Sequence, residues 1–470
     1  MSKVFKNSYV TIGLMLFALF FGAGNLIFPA FLGAYSGSNV WLSVLGFCVT
    51  GVTLPLLGVV AVSYSGATDV SDFAGRVSKK FGVVYAVALY LSIGVLFAIP
   101  RTGATSYEVG VEPIFGSSLL VKVIYAVVFF GLTYFLAMNP SKIADRVGKY
   151  LTPLLILVLV VLVVASFFKA TPGYGEPLNA AKDAANAFSG GPLVAGLLQG
   201  YGTMDTLASL AFAIIVINAA KFYGSKSEKE VASVTLKSGV ISVVLLALVY
   251  IFVARIGAIS QNLFELNDKG LLTHAGKVVS GGTILSVTSH YFIGNVGQVV
   301  LALVIFLACL TTSTGLVTAC SEYFQRLVPK VSHKVWATIF TLGSTALYFN
   351  GLTVIINWSV PVLYLLYPLT IALVFITFLA KTFGDRKEVY LTTTVFTFVP
   401  ALYDSVSTFA AMTKWFELPK SLVHFFTKVV PLGSYSMGWV PFAVLGFLVG
   451  FVYVKVFKKE SSKQLVSASN

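Results

Sequence analysis

The sequence predicts an all-α integral membrane protein of twelve transmembrane helices. They are arranged as a five-plus-five inverted repeat with broken helices 1 and 6, plus two peripheral helices. Three observations carry that prediction. The 470 residues are 57% hydrophobic and only 11% charged, where a soluble chain carries about 25% charged residues. Uncharged apolar runs recur along the whole chain, each long enough to cross ~30 Å of hydrocarbon. The first and sixth of these runs are interrupted by glycines and polar side chains at matching places.

Taken in order, the spans cover 8–34, 39–64, 81–112, 119–139, 150–168, 190–219, 235–257, 292–324, 335–349, 353–380, 389–411 and 435–457. The first is too long, and continues too directly, to be a cleaved signal peptide. Its middle reads "FFGAGNLIFP", Phe20 to Pro29. A glycine inside a helix costs ~1 kcal/mol relative to alanine, so Gly22, Gly24 and Asn25 predict a broken helix. The third span is interrupted at "AIPRTGAT" by Pro100 and Gly103. Arg101 in that stretch either snorkels outward or pairs with Glu108 or Glu112. The sixth span carries "QGYGTMDTLAS", in which Gly200, Gly202, Thr203 and Asp205 repeat the pattern of glycine, spacer, glycine and polar residue. An odd number of spans per half makes the second half start from the opposite side, so the repeat is inverted and its paired breaks mark a binding site near the midplane. The halves run 8–168 and 190–380, and 389–457 lies outside them. The alternative for the glycines is plain close packing of transmembrane helices. Residues 258–289 form the longest connection, and no loop is long enough for a soluble domain.

The formal charge of +14 is a topology signal. Most of the 32 Lys and Arg residues fall in alternate connections, among them Lys79, Lys80, Lys142, Arg146, Lys149, Lys330 and Lys387. Basic residues concentrate on the cytoplasmic side, which puts both termini in the cytoplasm. Cys48, Cys309 and Cys320 lie inside spans and give neither a disulfide framework nor a metal spacing. The four histidines are scattered, and there is no phosphate loop and no nucleophile with a base. The sequence therefore argues against an enzyme, and without the modules of an ATP-driven pump the energy must come from a gradient.

A broken helix offers carbonyls at the end of its first half and N–H groups at the start of its second. The N–H end suits a carboxylate and the carbonyl end a cation or ammonium group. One break thus recognises both poles of an α-amino acid. Asn25 adds an amide oxygen, with Leu26 and Ile27 opening the second half-helix. In the eighth span, "ACLTTST" places Thr311 and Thr312 one turn after the carbonyl of Ala308, an oxygen cluster suited to Na⁺. Its alternative is hydroxyls bonded to their own helix or stitching neighbouring helices. Asp205 is the acidic residue deep in a span beside a break, able to take a proton, hold an ammonium group or cap the second half-helix. Asp404, Glu322 and Trp358 read as structural or interfacial.

At "FFGAGNLIFP", "IPRTGAT", "QGYGTMDTLAS" and "ACLTTSTGL" the chain resembles the bacterial branched-chain amino acid:cation symporters, the LIV-II type carriers. These fall within the leucine-transporter-like inverted-repeat superfamily. The resemblance implies import of leucine, isoleucine and valine across the cytoplasmic membrane by alternating access, driven by a Na⁺ or proton gradient. It implies no cofactor and no nucleic-acid partner. The substrate would meet Gly22, Gly24, Asn25, Leu26, Gly200, Gly202 and Thr203. A sodium ion would take carbonyls of Ala18, Phe21 and Ala308 with the hydroxyls of Thr311 and Thr312, and Asn25 would hold another. The run "NLIFP" is one residue shorter before its proline than in the leucine transporter, and Asp205 has no acidic counterpart there. The competing readings are an exporter or carrier of another small zwitterion, and, from a different class, a channel or receptor.

Overall fold

The computed structural model describes residues 3–138, 152–168, 173–178, 191–268 and 270–467. Lys142, Arg146 and Lys149, expected on the cytoplasmic side, lie outside the described residues, as do residues 139, 150, 151 and 190 at the edges of three expected spans. Among the described residues nine helical segments are long and apolar enough to cross a membrane, from Gly24–Ser65 to Trp439–Phe457, and Tyr9–Phe20 is a shorter apolar one. The expected spans 150–168 and 335–349 appear as helices Thr152–Phe168 and His333–Tyr348.

Both expected breaks are present. The first span divides into Lys3–Phe20 and Gly24–Ser36, and the sixth into Pro192–Tyr201 and Asp205–Phe222. Pro29 sits inside Gly24–Ser36 and has no N–H to give the Asn25 carbonyl four residues back. The second half ends at Gly37, whose φ of +49° suits glycine alone without strain.

Two expectations are corrected. The third span breaks before Pro100, at Gly94 (ψ −122°) and Phe97 (φ −132°), so that Ala98–Thr105 starts afresh. Pro100 then falls in a first turn, where a missing N–H costs little. The 258–289 connection is not a bare loop. It holds an antiparallel sheet of Glu265–Leu266, Leu272–His274 and Lys277–Val278, followed by helix Gly281–Ile293. Ser280 caps that helix by accepting from Thr283 N–H at 3.1 Å. The signal in "SGGTILSVTSHYFI" was the cap, hidden by a segment too short and polar to read as a span.

The described chain divides into two compact units. The first comprises Met1–Val59 and Tyr90–Ser359 and contains both breaks. Within it, glycines let backbones touch. A methyl on Gly33 would overlap the Ala254 carbonyl, and one on Gly257 would overlap the Ala30 carbonyl, so Gly24–Ser36 and Glu228–Ile259 interlock. Pro192–Tyr201 and Val40–Cys48 do the same, with Gly196 on the Ser43 carbonyl and Gly46 on the Leu193 carbonyl. Each break is therefore braced by a close-packed partner, as small-residue contacts between membrane helices allow. The second unit comprises Val60–Leu89 and Val360–Asn470. There Arg76 pairs with Asp385 at 3.0 Å and donates to the Ser65 carbonyl at 2.8 Å. Gly446 and Gly450 set helix Trp439–Ser467 against Lys387–Thr413.

Candidate functional site

The two breaks face each other inside the first unit. Glycine is what permits their approach. A Cβ on Gly24 would stand 3.0 Å from Thr203 Cα and 3.2 Å from Arg101 Nη2. One on Gly202 would meet the Phe28 ring at 2.5 Å, and one on Gly200 would strike the Thr50 hydroxyl. Gly22 faces the eighth span, where its Cβ would lie 2.8 Å from Thr312 Oγ1. The glycines read from sequence as helix breakers thus also serve as contact points between elements.

Asn25 organises the junction. Its Oδ1 accepts from Gly22 N–H at 2.9 Å, tying the break to itself. Its Nδ2 donates to Asp205 Oδ2 and to the Tyr250 hydroxyl. The Tyr250 hydroxyl in turn donates to Asp205 Oδ2 at 3.4 Å or to the Gly51 carbonyl at 3.5 Å. Asn25, Asp205 and Tyr250 are all buried, so one polar network spans the two broken helices and Glu228–Ile259. Thr203 donates to the Gly200 carbonyl at 2.9 Å and accepts from Asp205 N–H at 3.3 Å. Between them Met204 turns the chain at φ +67°, a conformation costing an L-residue roughly 1–2 kcal/mol. Leu26 is also buried, next to Asn25 at the start of the second half-helix.

Arg101 does not snorkel outward but turns inward to the second break. It is 4% exposed and donates from Nη1 to the Gly202 carbonyl at 2.6 Å and from Nη2 to the Thr203 carbonyl at 2.9 Å. Its guanidinium lies 5.7 Å from the centre of the Phe28 ring. Glu108 accepts from Leu352 N–H at 2.8 Å. Gly22, Gly24, Asn25, Arg101, Thr203 and Asp205 line a small cavity of about 20 Å³, room for roughly one water molecule.

Beside this cavity lies the oxygen cluster. The last carbonyls of a helix lack internal partners. Ala18 and Leu19 are such carbonyls, because Gly22 N–H turns to Asn25. Thr311 Oγ1 donates to the Ala18 carbonyl at 3.0 Å and to that of Ala308 at 2.9 Å, and Thr312 Oγ1 donates to the Leu19 carbonyl at 3.2 Å, so these hydroxyls stitch the two helices together. Phe21 lies three residues after Ala18 in the sequence. Ala18, Ala308, Thr311 and Thr312 are therefore neighbours, at a helix end that carries partial negative charge.

Tyr250, Met204 and Phe28 escape a sequence reading. One tyrosine in an apolar span carries no signal, and strain at Met204 has no compositional trace. Arg101 was visible as a buried-charge anomaly, but its partner is a backbone, which has no letter in the sequence.

A family model described as "Branched-chain amino acid transport protein" matches residues 5–457. The chain is 42% identical over 445 residues to the branched-chain amino acid permease BraB of Bacillus subtilis (strain 168), covering 94% of each. The branched-chain amino acid permease BrnQ of that organism is 38% identical over 465 residues, covering 98% of this chain and all of BrnQ. Among solved structures, a Na⁺-coupled sialic acid symporter in a substrate-bound outward-open state matches with a TM-score of 0.60 at 14% identity, covering 96% of this chain and 90% of its own. MhsT in complex with L-phenylalanine matches with a TM-score of 0.54 at 15% identity, covering 95% and 98%. At those identities the structures speak for the fold, which is that of the leucine-transporter-like carriers. The chain belongs to the branched-chain amino acid transport protein family, an integral membrane transporter and not an enzyme.

Proposed function

We propose that the protein is a secondary symporter that carries leucine, isoleucine and valine into the cell across the cytoplasmic membrane, with both termini inside. The observation that carries this reading is the meeting of two broken helices at one small cavity lined by buried polar residues. That cavity offers donors and acceptors for both poles of an amino acid, within a family of branched-chain amino acid carriers. The ammonium group takes carbonyls of the second break, at Gly202 and Thr203, with Asp205 close by. Around the carboxylate stand the N–H groups that open Gly24–Ser36. The halves 8–168 and 190–380 exchange access to the cavity as inverted repeats, and 389–457 stays peripheral. The matched bracing of each break by a glycine-lined partner supports that division.

Na⁺ is the proposed coupling ion. It sits among Ala18, Phe21, Ala308, Thr311 and Thr312, where uncharged oxygens bind firmly enough to couple and weakly enough to release. The pairing of Thr311 with the Ala18 and Ala308 carbonyls supports the assignment. Asn25 Oδ1 keeps a second lone pair for an ion nearer the substrate. Asp205 provides the proton-linked alternative.

Uptake of labelled leucine into proteoliposomes under imposed gradients tests this. Accumulation that follows an inward Na⁺ gradient, with isoleucine and valine competing, is expected. Accumulation that follows only an inward proton gradient transfers the coupling to Asp205. Uptake indifferent to both gradients ends the symporter reading, and current that does not saturate would point to a channel.

A further inference from the structure

We propose that Arg101 is the residue that binds the substrate carboxylate, and that in the arrangement described above its guanidinium stands on the carbonyls that the substrate ammonium takes over. This deepens the transporter reading and rests on it.

A guanidinium is permanently charged, and burying it in a membrane bundle is expensive unless it is well partnered. Arg101 is 4% exposed, and its two terminal nitrogens go to backbone carbonyls of the second break. Arg101 is held in the cavity wall, on carbonyls beside the left-handed turn at Met204, with Asp205 lining the same cavity.

Arg101 Nη2 lies close against Gly24, where an added Cβ would stand 3.2 Å from it and press it aside by a few tenths of an ångström. Gly24 opens the half-helix Gly24–Ser36, whose first N–H groups form the positive end of that helix. A permanent cation and a helix N-terminus therefore converge on one cavity, with the carbonyls of Gly202 and Thr203 adjacent. The two poles of an α-amino acid are likewise adjacent. A carboxylate seated here forms paired bonds with the planar guanidinium, which match its two oxygens. Turning toward that carboxylate takes Arg101 off the carbonyls, and the ammonium group replaces it there. One cation exchanges for another, so the carbonyls keep a donor throughout. A ligand without a carboxylate has nothing to draw the guanidinium away and must compete with it.

The test measures binding to purified protein by competition and by thermal shift. All twenty amino acids are offered to the wild type first, and the tightest sets the reference. If that is leucine, its decarboxylated analogue 3-methylbutylamine is the critical probe, with leucine amide as a second. Wild type is expected to bind leucine at least about thirtyfold more tightly than the amine, the loss typical of removing one member of a buried charge pair. Arg101→Gln is expected to lose leucine affinity by a similar factor and to narrow the preference for leucine over the amine to within about threefold. Arg101→Lys keeps the charge without the fork and should fall between. Equal wild-type affinity for leucine and the amine overturns the proposal without any variant, so a variant that fails to fold does not rescue it. An unchanged preference in a folded Arg101→Gln protein overturns it as well. If the tightest ligand is not branched-chain, the substrate reading fails while Arg101 is still tested, with that amino acid and its own amine. Binding of no amino acid overturns both.

Discussion

Thr311 and Thr312 are adjacent in sequence yet answer to different carbonyls, Ala18 and Leu19, at the frayed end of the first half-helix. Removing either hydroxyl leaves a carbonyl short of a donor and, in the proposed ion site, would deprive Na⁺ of a ligand. Thr312→Ala is expected to raise the Na⁺ concentration for half-maximal leucine uptake by about tenfold, the equivalent of ~1.4 kcal/mol, and to leave leucine binding at saturating Na⁺ nearly intact. Unchanged Na⁺ dependence would remove Thr312 from the ion site. Asp205 makes a separate prediction, because it faces Arg101, Asn25, Thr203 and Tyr250 rather than the threonines. Asp205→Asn should abolish any acceleration of uptake by an inward proton gradient while a Na⁺ gradient still drives the carrier. Loss of folded protein alone, with coupling intact in what remains, would make the residue a brace. Gly24→Ala places a methyl 3.0 Å from Thr203 Cα, and uptake should fall at least about tenfold, because misplacement of the reacting groups by even a fraction of an ångström is felt in a packed site. Most of these residues were legible in the sequence for a simple reason. Gly, Asn, Asp and clustered Thr are all poor choices for lipid, so each one inside an apolar span demands an explanation.

Elements were legible where composition changes sharply, and less so where geometry alone decides. The broken first and sixth helices follow from their glycines. The third span misled because Pro100 looked like the break, whereas the chain bends earlier, at Gly94 and Phe97, and uses the proline to start the next turn. Helix Gly281–Ile293 stayed hidden because it is short and its capping residues resemble a loop. Met204 marks the limit of such reading, since any residue could occupy its place in the alphabet while only its φ of +67° shows the strain. Met204→Gly relieves about 1–2 kcal/mol of that strain but empties a buried site at a cost of about 2–5 kcal/mol, so the melting temperature should fall. A higher melting temperature would mean that the backbone strain outweighs the buried methionine side chain. Gly196→Val tests the brace of the same helix, because its side chain would enter the Ser43 carbonyl. Little folded protein is expected by fluorescence-detected size exclusion, and a normal yield would show that the contact can open without harm.

For the whole molecule, the cavity of about 20 Å³ sets the requirement for transport. The proposed substrate, leucine, is far larger than that space and would fit only if the walls part, and the walls include the broken helices themselves. Membrane character was plain from hydropathy, because twenty apolar residues in a row have few other uses. The joining of Arg101 to the second break was not, because it depends on which backbone atoms a turn sets free. The mutual interlock of Gly33 with Ala254 and Gly257 with Ala30 has a mechanical consequence. Two surfaces in backbone-to-backbone register at two points have no room to slide or roll. Gly24–Ser36 and Glu228–Ile259 must therefore travel as a single lever, and Tyr250, Asn25 and the substrate side of the cavity ride on it together. Spin labels on those two helices should keep a constant separation in every ligand condition, while either one, measured against Asn295–Leu327, changes its distance as the carrier cycles.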